Sequence, residues 1–303
     1  MMRLRAFFSI VTLSSLLLSA SADARTLIHT KGSDTMTKIA SAWSEAYHGY
    51  HALHRASLDV GIAVNGGGSG TGIAALLIGQ TDIANVSRRL LHSEIKLAAK
   101  KGIQPIHHVV AYNALVGVFL HPNNPLNSIS FQNLAEIYGE DGTLTKWSQL
   151  GVQVPGCSGQ RITVVSRQNN SGTYAFFRNA VLGGKRDYKL NMLSLPSSKE
   201  VVHLVEETPC AIGYSGMIYA TRRVKPACIS EGEQASCTHP QISSVTKGLE
   251  NRYPISRPLF MVTNGQPEGA VKQYLDWIKS DAGQCVAKRM GYTAIRPVSC
   301  NMP

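Results

Sequence analysis

Arg161-Ile162-Thr163-Val164-Val165-Ser166-Arg167-Gln168-Asn169-Asn170-Ser171-Gly172-Thr173-Tyr174-Ala175-Phe176-Phe177 passes from an apolar, β-branched run through small polar residues into a helical pattern. The run reads as a strand, and Ser171 to Thr173 as the entrance of a helix. N–H groups at a helix start have no intrahelical partner and sit at the positive end of the backbone dipole, so an anion placed there meets donors already aimed at it. Arg167 adds a planar, permanently charged fork suited to two oxygens of a tetrahedral oxyanion.

The same order recurs twice nearer the N-terminus. Leu27 to Thr30 reads as a strand, and Lys31-Gly32-Ser33-Asp34-Thr35 turns it into a helix whose apolar stripe is Met36, Ile39, Ala40, Trp43 and Tyr47. Leu58 to Val64 forms a second strand. It is followed by a glycine-dense loop, Asn65 to Gly72, and a short apolar helix from Ile73 to Ile78 closed by Gly79. Thr81 to Val86 is a third strand, ending at Ser87-Arg88-Arg89. A β-α-β-α-β order with short turns implies a largely parallel sheet covered by helices on both faces, with ligands at the carboxyl ends of the strands.

Farther along, the apolar run Val109 to Leu120 and the segment Leu259-Phe260-Met261-Val262 read as paired crossover strands between two lobes. The first lobe is expected over residues 25–110, the second over 111–258, with 259–303 returning to the first. Helices are expected near Phe131 to Tyr138, near Lys199 to Glu207, and after Pro267-Glu268, the last burying Ala270, Val271, Tyr274, Leu275 and Ile278.

Arg3 and Arg5, the apolar run Ala6 to Leu18 and Ala22-Asp23-Ala24 read as a cleavable secretory signal over residues 1–24, which implies export to a periplasm. No later run approaches the length of a membrane span. The six cysteines, Cys157, Cys210, Cys228, Cys237, Cys285 and Cys300, are an even set in an exported chain, which favours disulfides over metal ligands or catalytic thiols. They permit 15 pairings. The short intervals make Cys228 with Cys237 and Cys285 with Cys300 the least costly loops, leaving Cys157 with Cys210.

The net charge is +11, and +10 once the two Arg and one Asp of residues 1–24 are removed. That balance fits an anionic ligand, a membrane surface or nucleic acid. Nucleic acid is disfavoured because the basic residues are scattered and no aromatic-basic stacking motif occurs.

Each motif has a plainer reading. Ser33, Asp34 and Thr35 are all good helix caps. The run Gly66 to Gly72 lacks the Lys of a nucleotide P-loop, with Ile73 in its place. Ser87 and Arg88 also suit an ordinary strand end. His48, His51 and His54 step around a helix rather than along one face, so no metal is expected there. Ser69 and Ser215 lack the Gly two residues on that a nucleophile elbow demands.

Taken together, these segments resemble the phosphate-binding proteins of the high-affinity phosphate ABC transporter, within the type II periplasmic substrate-binding class. Supporting motifs are Thr81-Asp82-Ile83-Ala84, Ala211-Ile212-Gly213-Tyr214, Tyr253-Pro254-Ile255-Ser256-Arg257-Pro258 and Gly291-Tyr292. The resemblance implies an α/β, two-lobed periplasmic-binding-protein fold, each lobe a mixed, mostly parallel sheet flanked by helices. It also implies a non-enzymatic, monomeric receptor without cofactors, which delivers inorganic phosphate to an inner-membrane ABC permease. The implied ligand set is Thr35, the Met36 amide, Ser69, Ser87, Arg167, Ser171, Gly172 and Thr173, with Ser33, Asp34, Gly70 and Arg88 as further candidates.

Two departures from the family pattern bear on selectivity. Family members place an Asp where Ser87 stands, and that carboxylate accepts a phosphate proton and so rejects sulfate; Asp34 is the candidate replacement acceptor. An acid that pairs with the arginine is replaced by Asn169, which leaves Arg167 free to direct its charge at the ligand. The alternatives are a receptor for sulfate, molybdate or tungstate, and an exported phosphatase.

Overall fold

A computed structural model of the chain describes residues 26–53, 60–232, 236–240 and 253–300. The secretory signal expected over residues 1–24 lies outside them, as do Leu58, Asp59 and His54.

Strands β1 (Thr26–Gly32), β2 (Val60–Gly67) and β3 (Ile83–Val86) are joined by helices α1 (Asp34–Leu53) and α2 (Ser69–Leu76). Both β2 and β3 run parallel to β1, as the β-α-β-α-β order requires. The stripe expected on α1 is its buried face: Met36, Ile39, Ala40, Trp43 and Tyr47 are each at most 1% exposed. Helix α3 (His92–Lys100) follows at the surface.

The glycine-dense segment is not a loop. β2 continues through Gly67, and α2 begins at Ser69, so a single residue, Gly68, turns the chain. Gly68 has φ +94°, a conformation that side chains strongly disfavour, and this permits so short a junction.

Strand β4 (Pro105–Leu120) is long enough to serve two halves of the molecule. Its first part pairs antiparallel with β11 (Ser256–Asn264), and its last part pairs antiparallel with β8 (Ala211–Gly216). The second half adds β5 (Ser128–Ser130), α4 (Phe131–Tyr138), β6 (Thr163–Arg167), α5 (Gly172–Leu182), β7 (Leu193–Leu195) and α6 (Ser198–Glu207) before β8. The short strands β9 (Lys225–Pro226) and β10 (Cys228–Ser230) follow it. The order β2-β1-β3-β11-β4-β8-β6-β7 is one continuous mixed sheet, with β6 parallel to both β8 and β7. Helices α7 (Gly269–Lys279) and α8 (Asp281–Arg289) then pack back on the first half, where Tyr274, Leu275 and Ile278 are buried.

Apolar burial is divided between the halves. Trp43, Tyr47, Val110, Leu259 and Tyr274 share one core, while Val116, Tyr138, Trp147, Phe177, Tyr214 and Ile255 share another. The two crossover strands change core between Ala111 and Val116 and between Ile255 and Leu259. Disulfides join Cys157 to Cys210, Cys228 to Cys237 and Cys285 to Cys300, with Cα separations of 4.9, 5.5 and 5.5 Å. These are the pairs that the sequence intervals favour.

Candidate functional site

The carboxyl ends of β1, β2, β3 and β6 meet where the two halves of the sheet face each other, and three of them feed directly into helix starts, those of α1, α2 and α5. Their hydroxyls form one buried cluster. Ser33 Oγ donates to Ser87 Oγ at 2.9 Å, and Ser69 Oγ lies 3.4 Å from Ser87 Oγ and accepts from the Ser87 N–H at 3.1 Å. Across the interface, Thr35 Oγ1 and Thr173 Oγ1 share a hydrogen bond at 2.8 Å. All five residues are buried.

Gly172 closes the cluster from the second half. A β-carbon there would stand 2.2 Å from Ser69 Oγ and 2.6 Å from Ser87 Oγ, so the absence of a side chain is what lets α5 approach. Ser171 is the N-cap of α5, its Oγ accepting from the Thr173 and Tyr174 amides. That use spends an acceptor lone pair and leaves the O–H as a donor.

Arg167 departs from the sequence reading. Its Nη2 donates to Asp34 Oδ2 at 2.7 Å and to the Pro196 carbonyl at 2.7 Å, Nη1 donates to Ser198 Oγ at 2.9 Å, and Nε donates to the Leu195 carbonyl at 3.3 Å. Four of its five N–H groups are thus held by protein. Burial lowers its pKa, while Asp34 opposes the shift. The absence of an acid at Asn169 therefore does not leave the arginine unpaired, because Asp34 reaches it from the other half. Asp34 is correspondingly committed, its Oδ1 accepting from the Gly67 N–H at 3.0 Å.

Other candidates are also engaged within the protein. The Met36 amide donates to the Ser33 carbonyl at 2.9 Å, the first turn of α1 being closed by that bond. The Gly70 amide donates to the Asn170 carbonyl, also at 2.9 Å, a bond between halves. Arg88 turns away into a two-pronged pair with Glu94, both contacts at 2.7 Å. His48 is solvent-exposed.

Two participants were not singled out from sequence. Asn170 Nδ2 reaches the Gly67 carbonyl at 2.9 Å and Thr71 Oγ1 at 3.2 Å. Arg257, on β11, donates from Nη2 to Thr173 Oγ1 at 2.7 Å and to Thr35 Oγ1 at 3.3 Å, and from Nη1 to the Gly172 carbonyl at 3.0 Å. The available signal was the arginine of the motif Tyr253 to Pro258, just ahead of the run Leu259 to Val262 that reads as a crossover strand. Beneath the cluster, Tyr214 bonds Ser166 Oγ at 2.7 Å and Tyr188 at 3.1 Å and stacks on Phe177 at 3.8 Å, which fixes the floor of the second half. Burial pushes the Tyr214 phenol up to about 12, so it serves as a hydrogen-bonding neutral group.

The arrangement gathers hydroxyl donors, helix starts and guanidiniums around one point. Among the described residues the cluster hydroxyls bond to one another, to backbone amides and to Arg257; none is bonded to an imidazole or a carboxylate that would draw off its proton.

The family description "PBP superfamily domain" matches residues 19–282. Phosphate-binding protein PstS of Pseudomonas aeruginosa is 29% identical over 272 residues, covering 86% of this chain and 80% of that protein. Protein SphX of Synechococcus elongatus is 27% identical over 277 residues, covering 89% and 78%. Among solved structures, a substrate-binding protein with bound phosphate from Clostridium perfringens superposes with a TM-score of 0.73 at 24% identity, covering 89% of this chain and 100% of that one. An ABC-type phosphate transport receptor from Vibrio cholerae gives 0.65 at 24% identity, with the same coverages. These two superpositions show that the chain shares their fold.

Proposed function

Because the chain belongs to the PBP superfamily, we propose that it is a solute-binding protein that captures inorganic phosphate between two lobes and hands it to an ABC permease. The observation that carries this reading is the buried hydroxyl cluster of Ser33, Thr35, Ser69, Ser87 and Thr173, gathered from three helix starts and the end of β3 and walled by Arg167 and Arg257. The helix starts hold these groups close together, so an oxyanion that parts the hydroxyl–hydroxyl bonds of Ser33 with Ser87 and of Thr35 with Thr173 meets donors already gathered around it. The relatives named for phosphate binding support the choice of ligand.

The proposed ligand contacts are the hydroxyls of Thr35, Ser69, Ser87, Ser171 and Thr173, the Gly172 amide and the remaining Nη1 N–H of Arg167. We take residues 25–110 with 259–303 as one lobe and 111–258 as the other, hinged on β4 and β11. Closure is favoured to the extent that the anion binds the closed arrangement more tightly than the open one. Export by residues 1–24 and residence in the periplasm complete the reading, and three disulfides suit that compartment. Cluster hydroxyls bonded mainly to each other and to cationic or amide donors favour capture over turnover.

Titration calorimetry of the purified protein with inorganic phosphate tests this. One phosphate per chain, with no hydrolysis of a generic phosphate ester, is expected. Failure to bind phosphate, or ester turnover lost in Arg167→Ala, would overturn it.

A further inference from the structure

The charges bordering the hydroxyl cluster do not balance. Arg167 and Arg88 each face a carboxylate, Asp34 and Glu94 respectively, at 2.7 Å. Arg257 faces none. It is 4% exposed, its hydrogen-bond partners are the neutral Thr35, Thr173 and Gly172 oxygens, and its Nε has no partner among the described residues. Its guanidinium also lies 4.9 Å from the centre of the Phe176 ring. A buried cation with only neutral partners is costly, and an anion seated beside it offsets that cost.

The same contacts set the polarity of the hydroxyls. Thr35 and Thr173 each spend an acceptor lone pair on Arg257, Ser69 spends one on the Ser87 amide, and Ser87 spends one on Ser33. Both Asp34 oxygens are engaged by Arg167 and Gly67. Ser33 and one of Thr35 and Thr173 spend their own O–H inside the cluster, so the donors left for a ligand are the other threonine, Ser69, Ser87, Ser171 and the last Arg167 N–H, and no carboxylate oxygen beside them is unengaged; a proton carried by a ligand meets only hydroxyl acceptors.

We propose that Arg257 supplies the unneutralised positive charge of this site and makes it a receptor for proton-poor, doubly charged tetrahedral oxyanions, binding the phosphate dianion in preference to the monoanion and admitting sulfate. The inference rests on the oxyanion-capture reading above and adds the ionic form of the ligand and the residue that selects it.

The titratable groups facing Arg257 are Arg167 and Arg88, which oppose its charge, and the Tyr214 and Tyr292 phenols. Burial, then Arg167, brings the Arg257 pKa down to about 9, so it remains charged at neutral pH. Burial pushes Tyr292 upward and Tyr214 to about 12. Around neutrality, then, the proton that titrates is the one on phosphate.

The test is phosphate affinity at about pH 6 and about pH 8, with sulfate as competitor, for the wild type, Arg257→Gln and Arg257→Lys. In the wild type, phosphate affinity is expected to rise by up to about tenfold toward the higher pH, as the dianion share of the ligand grows, with sulfate displacing phosphate at comparable concentration. Arg257→Gln keeps hydrogen-bond donors near Thr173 but loses the charge. It is expected to weaken phosphate binding at least about tenfold and to flatten the pH dependence, while Arg257→Lys retains the slope. If Arg257→Gln fails to fold, the wild-type pH profile and the sulfate competition decide. Phosphate binding that is flat or falls with pH and is untouched by sulfate, or an Arg257→Gln profile that keeps the wild-type slope, would overturn the role of Arg257 and leave phosphate capture standing. Absence of phosphate binding at either pH would overturn the capture reading itself.

Discussion

Asp34 and Arg167 come from opposite halves of the molecule, 133 residues apart in sequence, yet Arg167 Nη2 donates to Asp34 Oδ2 at 2.7 Å beside the hydroxyl cluster. The pair joins the first turn of α1 to the end of β6 and holds the arginine's charge in place. It is therefore a clasp between the halves as well as a wall of the site.

Replacing Asp34 with Asn keeps an acceptor for the Gly67 amide but leaves the buried Arg167 guanidinium without its counter-charge. The expected cost is about 1–3 kcal/mol of stability, read as a lower melting temperature. Phosphate should restore more of that loss in Asp34→Asn than it adds to the wild type, because the anion then takes over the missing charge.

Gly172→Ala places a methyl group where Ser69 Oγ and Ser87 Oγ stand, 2.2 and 2.6 Å from the new carbon. The first turn of α5 can then no longer seat against α2 and β3. Phosphate affinity should fall about ten- to a hundredfold, matching the ~1–3 kcal/mol cost of overpacking, while circular dichroism stays native.

His108 gives a pH dependence of stability remote from the site. Burial, then Lys279 and His107, lowers its pKa to about 4, and its ring nitrogens contact Thr263 Oγ1 at 3.0 Å and Lys279 Nζ at 3.2 Å. Between about pH 6.5 and 4 the unfolded chain binds a proton that the folded protein refuses, so stability present above pH 6.5 is lost as the pH falls. The slope is at most about 1.4 kcal/mol per pH unit, and His108→Gln should flatten it in denaturant titrations across that range.

The Cys157–Cys210 bridge ties the approach to β6 to the start of β8, across 53 residues. The double substitution Cys157→Ser with Cys210→Ser should cost about 4 kcal/mol by the loop-closure estimate, seen as a lower denaturant midpoint. Phosphate affinity should remain near wild type, since neither cysteine borders the hydroxyl cluster.

What was legible in the sequence follows from locality. The stripe Met36, Ile39, Ala40, Trp43, Tyr47 and the three strands expected at Leu27, Thr81 and Arg161 are set by short-range periodicity, and the structure keeps them, with the strands expected from Thr81 and Arg161 starting two residues later, at Ile83 and Thr163. The convergence of Thr35, Ser69, Ser87, Gly172 and Thr173 was legible because each sits just past a strand's end or in the first turn of the helix that follows, and parallel topology sends those junctions to one place. The Gly66 to Gly72 run misled because glycine density reads as a loop, whereas packing holds Gly67 in β2 and Ser69 to Gly72 in α2. Neither the pairing of Arg167 with Asp34 nor the convergence of Arg257 is local. Both depend on how two halves meet, and Arg257 stands before the run Leu259 to Val262 that reads as the strand, whereas β11 begins at Ser256 and carries it to the cluster.

The most direct test of the account is a crystal structure of the protein grown with inorganic phosphate. The account predicts one tetrahedral anion with oxygens about 3 Å from the Thr35, Ser69, Ser87 and Thr173 hydroxyls and the Gly172 amide. Phosphate bound away from those groups, or bound there with Thr35 and Thr173 on separate surfaces, would contradict it.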